Sequence, residues 1–224
     1  MLKYLINEVI FENHSILYHL CRKSGRTETY MKHLILVTSP PASGKTHVSK
    51  QLSKRLENIV YLDKDALIPL SNRVFIVANE EINRSSDFFE ENIRNYEYDA
   101  ILDIGMEALE YNDLVLINAP FTREVRDDAF ISSLKSRLAE IGAHLSVVWV
   151  ETDIEVCHQR MIARNSERDT WKLEHWDEYI ATRDYSTPDI PSLKDCMLIF
   201  NNSSDEEYEE SMVRITKYLK SQGV

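Results

Sequence analysis

One segment of eight residues constrains the fold of this chain more than any other. Residues Ser39–Thr46 read Ser-Pro-Pro-Ala-Ser-Gly-Lys-Thr and follow the apolar run Leu34–Val37. Val48, Leu52 and Leu56 come next, at helical spacing. The sequence therefore predicts a strand, a loop and a helix in succession. A loop of this kind ending in Gly-Lys-Thr is typical of phosphate binding, because its backbone N–H groups gather at the helix N-terminus.

The loop also has side chains suited to a nucleoside triphosphate and its metal ion. Lys45 is placed to reach the β- and γ-phosphates, and the hydroxyl of Thr46 is placed to bind Mg²⁺. Ser39 replaces the first glycine of the usual pattern, which we interpret as a tolerated variant. The predicted nucleotide-binding residues of the loop are Pro41, Ala42, Ser43, Gly44, Lys45, Thr46 and His47.

Five apolar runs alternate with helix-like stretches, which predicts a parallel sheet covered by helices on both faces. Ligands of such sheets bind at the carboxyl ends of the strands, so the polar residues that follow each run are candidates for a site. The runs are Leu34–Val37, Ile59–Leu62, Leu114–Ile117, Leu145–Val150 and Met197–Phe200.

Length and composition narrow the possible partners. The chain has 224 residues, which suits one α/β domain with a modest extension. Its net charge of −11 opposes the electrostatic attraction to long nucleic acids, so we expect none as a partner. The three cysteines have no metal-site or disulfide pattern, and no apolar run is long enough to cross a bilayer. We therefore expect a cytoplasmic protein without a membrane segment.

The first residues differ in pattern from the rest. Residues 1–30 have apolar positions at helical spacing and predict a helical extension that precedes a domain at residues 31–224. Packing of these helices against the domain is the simplest interpretation. An arm that grips substrate or makes a homodimer is the alternative.

Other sequence features favour phosphoryl transfer over hydrolysis. The chain has no Asn-Lys-x-Asp motif for guanine, and Asn118-Ala119 follows the third strand where remodelling ATPases have an Asp-Glu pair.

Transfer to an acceptor needs a carboxylate that orients the incoming hydroxyl. Asp63 and Asp65, at the end of the second strand, are the candidates, with Asp65 favoured. The other aspartate would cap the helix that begins near Ala66.

Phosphoryl transfer also needs cations that neutralise the transferred group. Arg160, Arg164 and Arg168 are spaced by four residues, so a helix would place Arg160 and Arg164 on one face. Bound polyphosphate would relieve the repulsion between them. Trp171, Trp176 and other aromatic residues follow, and they serve either to stack on a flat acceptor or to hold the arginine segment on the domain.

Together these motifs resemble the AAA-type small P-loop kinases related to chloramphenicol phosphotransferase, zeta toxins and polynucleotide kinase, over about residues 32–204. The resemblance implies a three-layer P-loop NTPase fold with a five-stranded parallel sheet and a lid at about residues 160–190. It also implies ATP and Mg²⁺ as cofactors and a small-molecule acceptor.

The resemblance extends to individual residues. It implies that Asp65 is the acceptor-side base, that Arg160 acts from the lid helix, and that Arg164 and Arg168 contact phosphate and adenine. Asn201 and Asn202 would contact the adenine edge. The acceptor-binding candidates are Asp65, Arg73, Arg94, Asn118 and Phe121.

We therefore predict an ATP-dependent kinase that transfers phosphate to a hydroxyl of a small or nucleotide-like acceptor. The alternatives are a toxin-like kinase acting on a sugar nucleotide, and an ATP-binding regulatory protein or nucleotide sensor without small-molecule kinase activity.

Overall fold

The structure, a computed structural model, describes residues 32–166 and 169–222. The predicted N-terminal helices and Arg168 lie outside the described residues. All five predicted strands are present, each extended by one or more residues. They are β1 (Lys32–Thr38), β2 (Ile59–Asp63), β3 (Leu114–Asn118), β4 (Ala143–Glu151) and β5 (Met197–Asn201).

The strands form one parallel sheet in the order β2-β3-β1-β4-β5. β1 is the central strand, and in register Val37 lies beside Asn118 on one side and Val148 on the other. The strand that leads into the phosphate loop therefore has a neighbour on both sides, which fixes the direction in which the loop leaves the sheet.

Helices cover both faces of this sheet. Longer helices are α1 (Lys45–Arg55), α2 (Ile68–Ala78), α3 (Asn95–Tyr111), α4 (Asp128–Glu140), α5 (Ile154–Arg164) and α8 (Asp205–Ser221), and shorter ones are α6 (Thr170–Glu174) and α7 (Trp176–Ala181). Single turns of 3₁₀-helix lie at Lys64–Leu67, Glu124–Arg126 and Pro191–Leu193. A short α-helical turn, Asp87–Phe89, and a π-helical turn, Glu90–Arg94, lead into α3.

Alternating residues of β1 divide the core between the two faces. Leu34 and Leu36 belong to a cluster that includes residues of α3 and α4, whereas Ile35 and Val37 belong to one that includes residues of α1 and α8. Successive side chains of a strand point to opposite faces, so an unbroken apolar run is required when both faces are buried. The predicted three-layer α/β fold is confirmed. No helix among the described residues has both the length and the apolar character needed to cross a membrane.

The opposite end of the sheet from the phosphate loop contains a buried histidine. His33, near the start of β1, is 4% exposed, and its Nε2 lies 2.8 Å from the Ser146 hydroxyl. Burial, with a smaller contribution from His144, lowers the pKa of His33 from 6.5 to about 4. The imidazole is therefore neutral in the folded protein at neutral pH.

This histidine predicts an acid-sensitive step in stability. Because the pKa of His33 is lower in the folded chain, the unfolded chain gains the proton first as the pH falls from 6.5 towards 4. We expect this group to lower the free energy of unfolding by about 2–3 kcal/mol between pH 7 and pH 4.5. Urea unfolding at both pH values measures the loss, and His33→Gln should lose less than the wild type. An equal loss in the two proteins would contradict the prediction.

Candidate nucleotide and phosphoryl-transfer site

The phosphate loop turns through two residues with positive φ. Ala42 has φ 65° and Gly44 has φ 85°, whereas Ser39 is not among the described residues with positive φ. The position where the usual pattern has its first glycine therefore needs no glycine in this chain. The Ser39 hydroxyl is buried and donates to the Pro40 carbonyl.

Gly44 is the position of the loop at which a side chain would collide with a neighbouring residue. A Cβ atom there would lie 2.5 Å from Nδ2 of Asn202 and 3.6 Å from Nη1 of Arg160. A positive φ is also unfavourable for residues with a Cβ. The backbone at Gly44 is thus in close contact with one side chain that follows β5 and one from α5.

Two side chains that follow strands of the sheet bind the loop. Thr152, after β4, and Asn202, after β5, both donate hydrogen bonds to the Ser43 carbonyl, at 3.0 and 2.7 Å. These two hydrogen bonds connect the loop to the chain segments that follow β4 and β5.

The first turn of α1 is open to an anion. Gly44 caps the helix without a side-chain hydrogen bond, and the first turn has no acidic residue. The positive end of the helix dipole favours negative charge at this point. Lys45 and Thr46 are the first two residues of the helix.

Asn118, at the end of β3, connects the residues expected to bind phosphate and metal. Its Oδ1 accepts hydrogen bonds from Lys45 Nζ at 3.0 Å and from the Ser49 hydroxyl at 3.1 Å. Its Nδ2 donates to the Asp63 carboxylate at 2.9 Å and lies 3.3 Å from the Thr46 hydroxyl. The side-chain amide of asparagine can make all of these contacts because its oxygen accepts hydrogen bonds and its nitrogen donates them. The sequence predicted that Asn118 contacts the substrate that accepts the phosphate. In the structure its side chain connects the phosphate loop to Asp63 of β2.

The two aspartates after β2 have different surroundings. Asp63 accepts from Asn118, from the Tyr61 hydroxyl at 2.9 Å and from the backbone N–H of Asp65 at 3.1 Å, and it caps the 3₁₀ turn. Burial and the bond to Asp63 raise the pKa of Tyr61 above its ordinary value. The Asp65 side chain is 61% exposed and lines the same cleft as the phosphate loop.

Lys64, between these aspartates, points into the protein. It is 3% exposed, and its Nζ donates to Glu97 of α3 at 2.7 Å. Glu97 also accepts a two-pronged contact from Arg84 at 2.8 and 2.6 Å, and a hydrogen bond from the Ser71 hydroxyl. These four residues, which we name the Glu97 cluster, fix the backbone that carries Asp63 and Asp65.

Hydrogen bonding in this cluster sets the charge of Glu97. Burial by itself raises the pKa of the Glu97 carboxyl, but the hydrogen bonds from Arg84, Lys64 and Ser71 outweigh it and bring the pKa from 4.5 down to about 2. Glu97 is therefore ionised at neutral pH and provides the counter-charge for Lys64 and Arg84.

Two of the predicted arginines, Arg160 and Arg164, lie in α5. Arg160 donates from Nη2 to the Asn202 carbonyl at 2.8 Å, and its buried Nη1 has no hydrogen-bond partner among the described residues. Arg164 is bound to the buried carboxylate of Asp169 through Nε at 2.9 Å and also through Nη2. Both arginines line the cleft.

The cleft has a volume of about 620 Å³, enough for a small ligand. It is lined by all nine residues from Ser39 to His47, together with Asp65, Pro120, Arg160, Arg164 and Lys172. It therefore brings the predicted loop residues, one of the two candidate carboxylates and two of the three predicted arginines to one place.

The aromatic residues after the arginines mainly pack against one another and against α5. Trp176 stacks on His158 with ring centroids 4.0 Å apart, and Tyr179 is 2% exposed. Trp171 stacks on His175 at 5.0 Å but is 51% exposed. Trp176 therefore packs the segment that follows the arginines onto α5, while stacking of these residues on an acceptor stays a prediction.

Several residues expected at the acceptor or the adenine lie elsewhere. Phe121 is fully buried and packs edge-on against Tyr98, so it belongs to the core. Arg94 forms an ion pair with Glu124 at 2.8 Å. Arg73 lies on a shallow apolar surface of α2 and Asn201 is exposed at the end of β5, and neither lines the cleft. Acceptor and adenine contacts by these residues stay predictions.

Sequence analysis missed several residues of the site. Lys172 and Asp169 follow the arginines in the chain. Lys172 would have been a candidate only if every cation of that segment, and not the arginines alone, had been considered. Glu97 gave a weak signal, because it is a single acidic residue between two tyrosines, and Thr152 was included only as one of the polar residues that follow an apolar run. Their partners are distant in sequence, and periodicity does not detect such pairs.

Comparison with known proteins adds a family and a set of similar structures. The sequence pattern of the family described as AAA domain matches residues 34–185. No curated protein matches the chain.

Three solved structures illustrate the similarity of fold. A protein of Chloroflexus aurantiacus described as a kinase has a TM-score of 0.58 at 18% identity, covering 86% of this chain and 98% of its own. Kti12 of Chaetomium thermophilum in complex with ADP-AlF3 has a TM-score of 0.53 at 17% identity, with 85% and 99% covered. A sugar kinase of Janibacter sp. HTCC2649 has a TM-score of 0.52 at 13% identity, with 85% and 95% covered. Because the sequence identities are this low, these comparisons show that the chain has a similar fold and nothing further.

Proposed function

Since the chain belongs to the AAA domain family, we propose that it is an ATP-dependent phosphotransferase that moves the γ-phosphate of ATP to a hydroxyl of a small-molecule or nucleotide-like acceptor. One observation carries the proposal. A single cleft is lined by the phosphate loop, by the exposed carboxylate of Asp65 and by Arg160 and Arg164 of the lid. These are the groups needed to hold a polyphosphate, orient a hydroxyl and neutralise the transferred group.

The phosphates of ATP would bind at the N-terminus of α1. The first turn of that helix has no acidic residue and includes Lys45, and Nη1 of Arg160 is a buried donor without a partner among the described residues. An unpaired buried guanidinium nitrogen is costly unless a ligand accepts its hydrogen bond. A phosphate oxygen over Gly44 would supply that acceptor.

The side chains near Thr46 suit a magnesium ion. The Thr46 hydroxyl and the Asp63 carboxylate both contact Nδ2 of Asn118, so two oxygen ligands lie near the phosphate loop. Oxygen ligands of this kind are the ones Mg²⁺ prefers. When bound, the ion neutralises charge on the phosphates, while Asp63 stays fixed by Tyr61 and Asn118.

Asp65 is the residue we propose to orient the acceptor. Asp63 makes three hydrogen bonds to protein donors, whereas the Asp65 side chain is largely exposed in the cleft. A carboxylate that a ligand can reach is suited to accept a proton from the incoming hydroxyl. The acceptor would lie between Asp65 and the γ-phosphate.

A ³¹P NMR assay tests the proposed function. The protein would be mixed with ATP, Mg²⁺ and pools of alcohols, sugars, nucleosides, aminoglycosides and amphenicols, with Lys45→Met as the inactive control. A phosphomonoester signal that needs both the wild-type protein and one pool supports the proposal and identifies the acceptor class. ATP binding with no new phosphomonoester from any pool would instead favour the nucleotide-sensor alternative.

A further inference from the structure

A lysine outside the arginine series faces the same cleft as the phosphate loop. Lys172, in α6, lines the cleft together with Lys45, Arg160 and Arg164. Its side chain is 27% exposed, and among the described residues its Nζ donates a single hydrogen bond, to Asp169 at 3.0 Å. An ammonium group has three N–H donors, so two of them are available to a ligand.

Asp169 holds this lysine beside a lid arginine. Its carboxylate is completely buried, with one oxygen bound to Lys172 and the other bound by Arg164. Burial raises the pKa of Asp169, but the bonds from Lys172 and Arg164 hold it below its ordinary value. Two cations therefore share one anion, and the arrangement keeps an excess positive charge at the cleft.

The position of Lys172 is fixed from a second side as well. Its Nζ lies 5.8 Å from the centre of the Tyr179 ring, within the range of a cation–π contact, and that ring is 2% exposed. A lysine used only for a surface ion pair would not need a buried carboxylate and a buried ring to orient it. Ordered cations facing a phosphate loop are suited to a phosphate group.

We propose that Lys172 is a γ-phosphate-binding residue and that Asp169 is a positioning residue that holds Lys172 and Arg164 towards the nucleotide. This inference rests on the proposed function, because it requires ATP in the cleft. Arg160 approaches the loop at Gly44, whereas Arg164, the last residue of α5, and Lys172, in α6, line the cleft further along the chain. If Lys172 binds the γ-phosphate, as we propose, ATP makes a contact that ADP lacks.

Isothermal titration of the whole chain with Mg²⁺ and either ADP or the β,γ-imido analogue of ATP tests the proposal without any acceptor. We expect Lys172→Met to weaken binding of the ATP analogue by about tenfold or more, the loss typical of a hydrogen bond to a charged group, with ADP changed less than about twofold. Lys172→Arg should restore most of the difference. Lys194→Met removes an exposed lysine outside the cleft and should change neither affinity.

A double-mutant cycle tests the role of Asp169. If Asp169 acts by holding Lys172, the effect of Lys172→Met should shrink when Asp169 is already Asn. Full additivity would overturn the positioning role. If the wild type binds both nucleotides and Lys172→Met loses equal affinity for both, or none for the ATP analogue, the role of Lys172 is overturned. The proposed function is not affected by that result. A wild-type protein that binds neither nucleotide would overturn the proposed function and this inference with it.

Discussion

Replacing Asp65 by asparagine is expected to lower the rate of phosphoryl transfer by about 10²–10⁴-fold, the usual contribution of a general base. Asn keeps the size of the side chain but cannot accept the proton of the acceptor hydroxyl. The Asp65 side chain is 61% exposed, so its replacement should leave folding intact. Nucleotide affinity should change little, since we propose that the loop, Arg160, Arg164 and Lys172 bind the phosphates.

The measurement is kcat with the acceptor found by NMR, together with the affinity for ATP. Asp63→Asn is the matched control, because it makes the same chemical change two residues away. Asp63 contacts Asn118, which contacts Thr46, so this variant should raise the Mg²⁺ concentration needed for half-maximal rate. Asp65→Asn should not change the Mg²⁺ requirement. An unchanged kcat for Asp65→Asn would remove this residue from the reaction.

Removal of Glu97 is expected to cause the largest loss of stability, about 3–5 kcal/mol for Glu97→Ala. Glu97 is 3% exposed, and its loss leaves Lys64, itself 3% exposed, without its buried counter-charge. An uncompensated charge in the interior is costly because water no longer solvates it. The same change should also loosen the turn that carries Asp63 and Asp65.

Urea unfolding at neutral pH measures this effect. Asp103→Ala is the control, because Asp103 pairs with Arg137 at the surface, with side chains 71% and 47% exposed. We expect that exposed pair to contribute less than about 1 kcal/mol. Similar losses for the two variants would mean that the Glu97 cluster does not stabilise the protein more than a surface pair does.

The pKa of Glu97 also predicts how the difference in stability between the wild type and Glu97→Ala depends on pH. It is about 2 in the folded protein and 4.5 ordinarily, so the carboxylate contributes its full stabilisation above pH 4.5 and loses it as the pH falls towards 2. In Glu97→Ala this part of the acid-induced loss should be missing.

The sequence by itself determined the strands, the phosphate loop and the fold class. Leu34–Val37 and the four other apolar runs are local signals, because a strand buried on both faces needs an unbroken run of apolar residues. Gly44 and Lys45 are equally local, since the loop chemistry is contained in consecutive residues. Such features are readable without knowing which elements are neighbours.

The tertiary structure alone decided which polar residues meet. The order β2-β3-β1-β4-β5 places Asn118 against Asp63 and Lys45, and the packing of α3 places Glu97 on Lys64. These pairs are separated by 33 or more residues, so no local period encodes them. Hydrogen bonds and ion pairs act over a few ångströms, and chain folding alone brings such distant residues within that range.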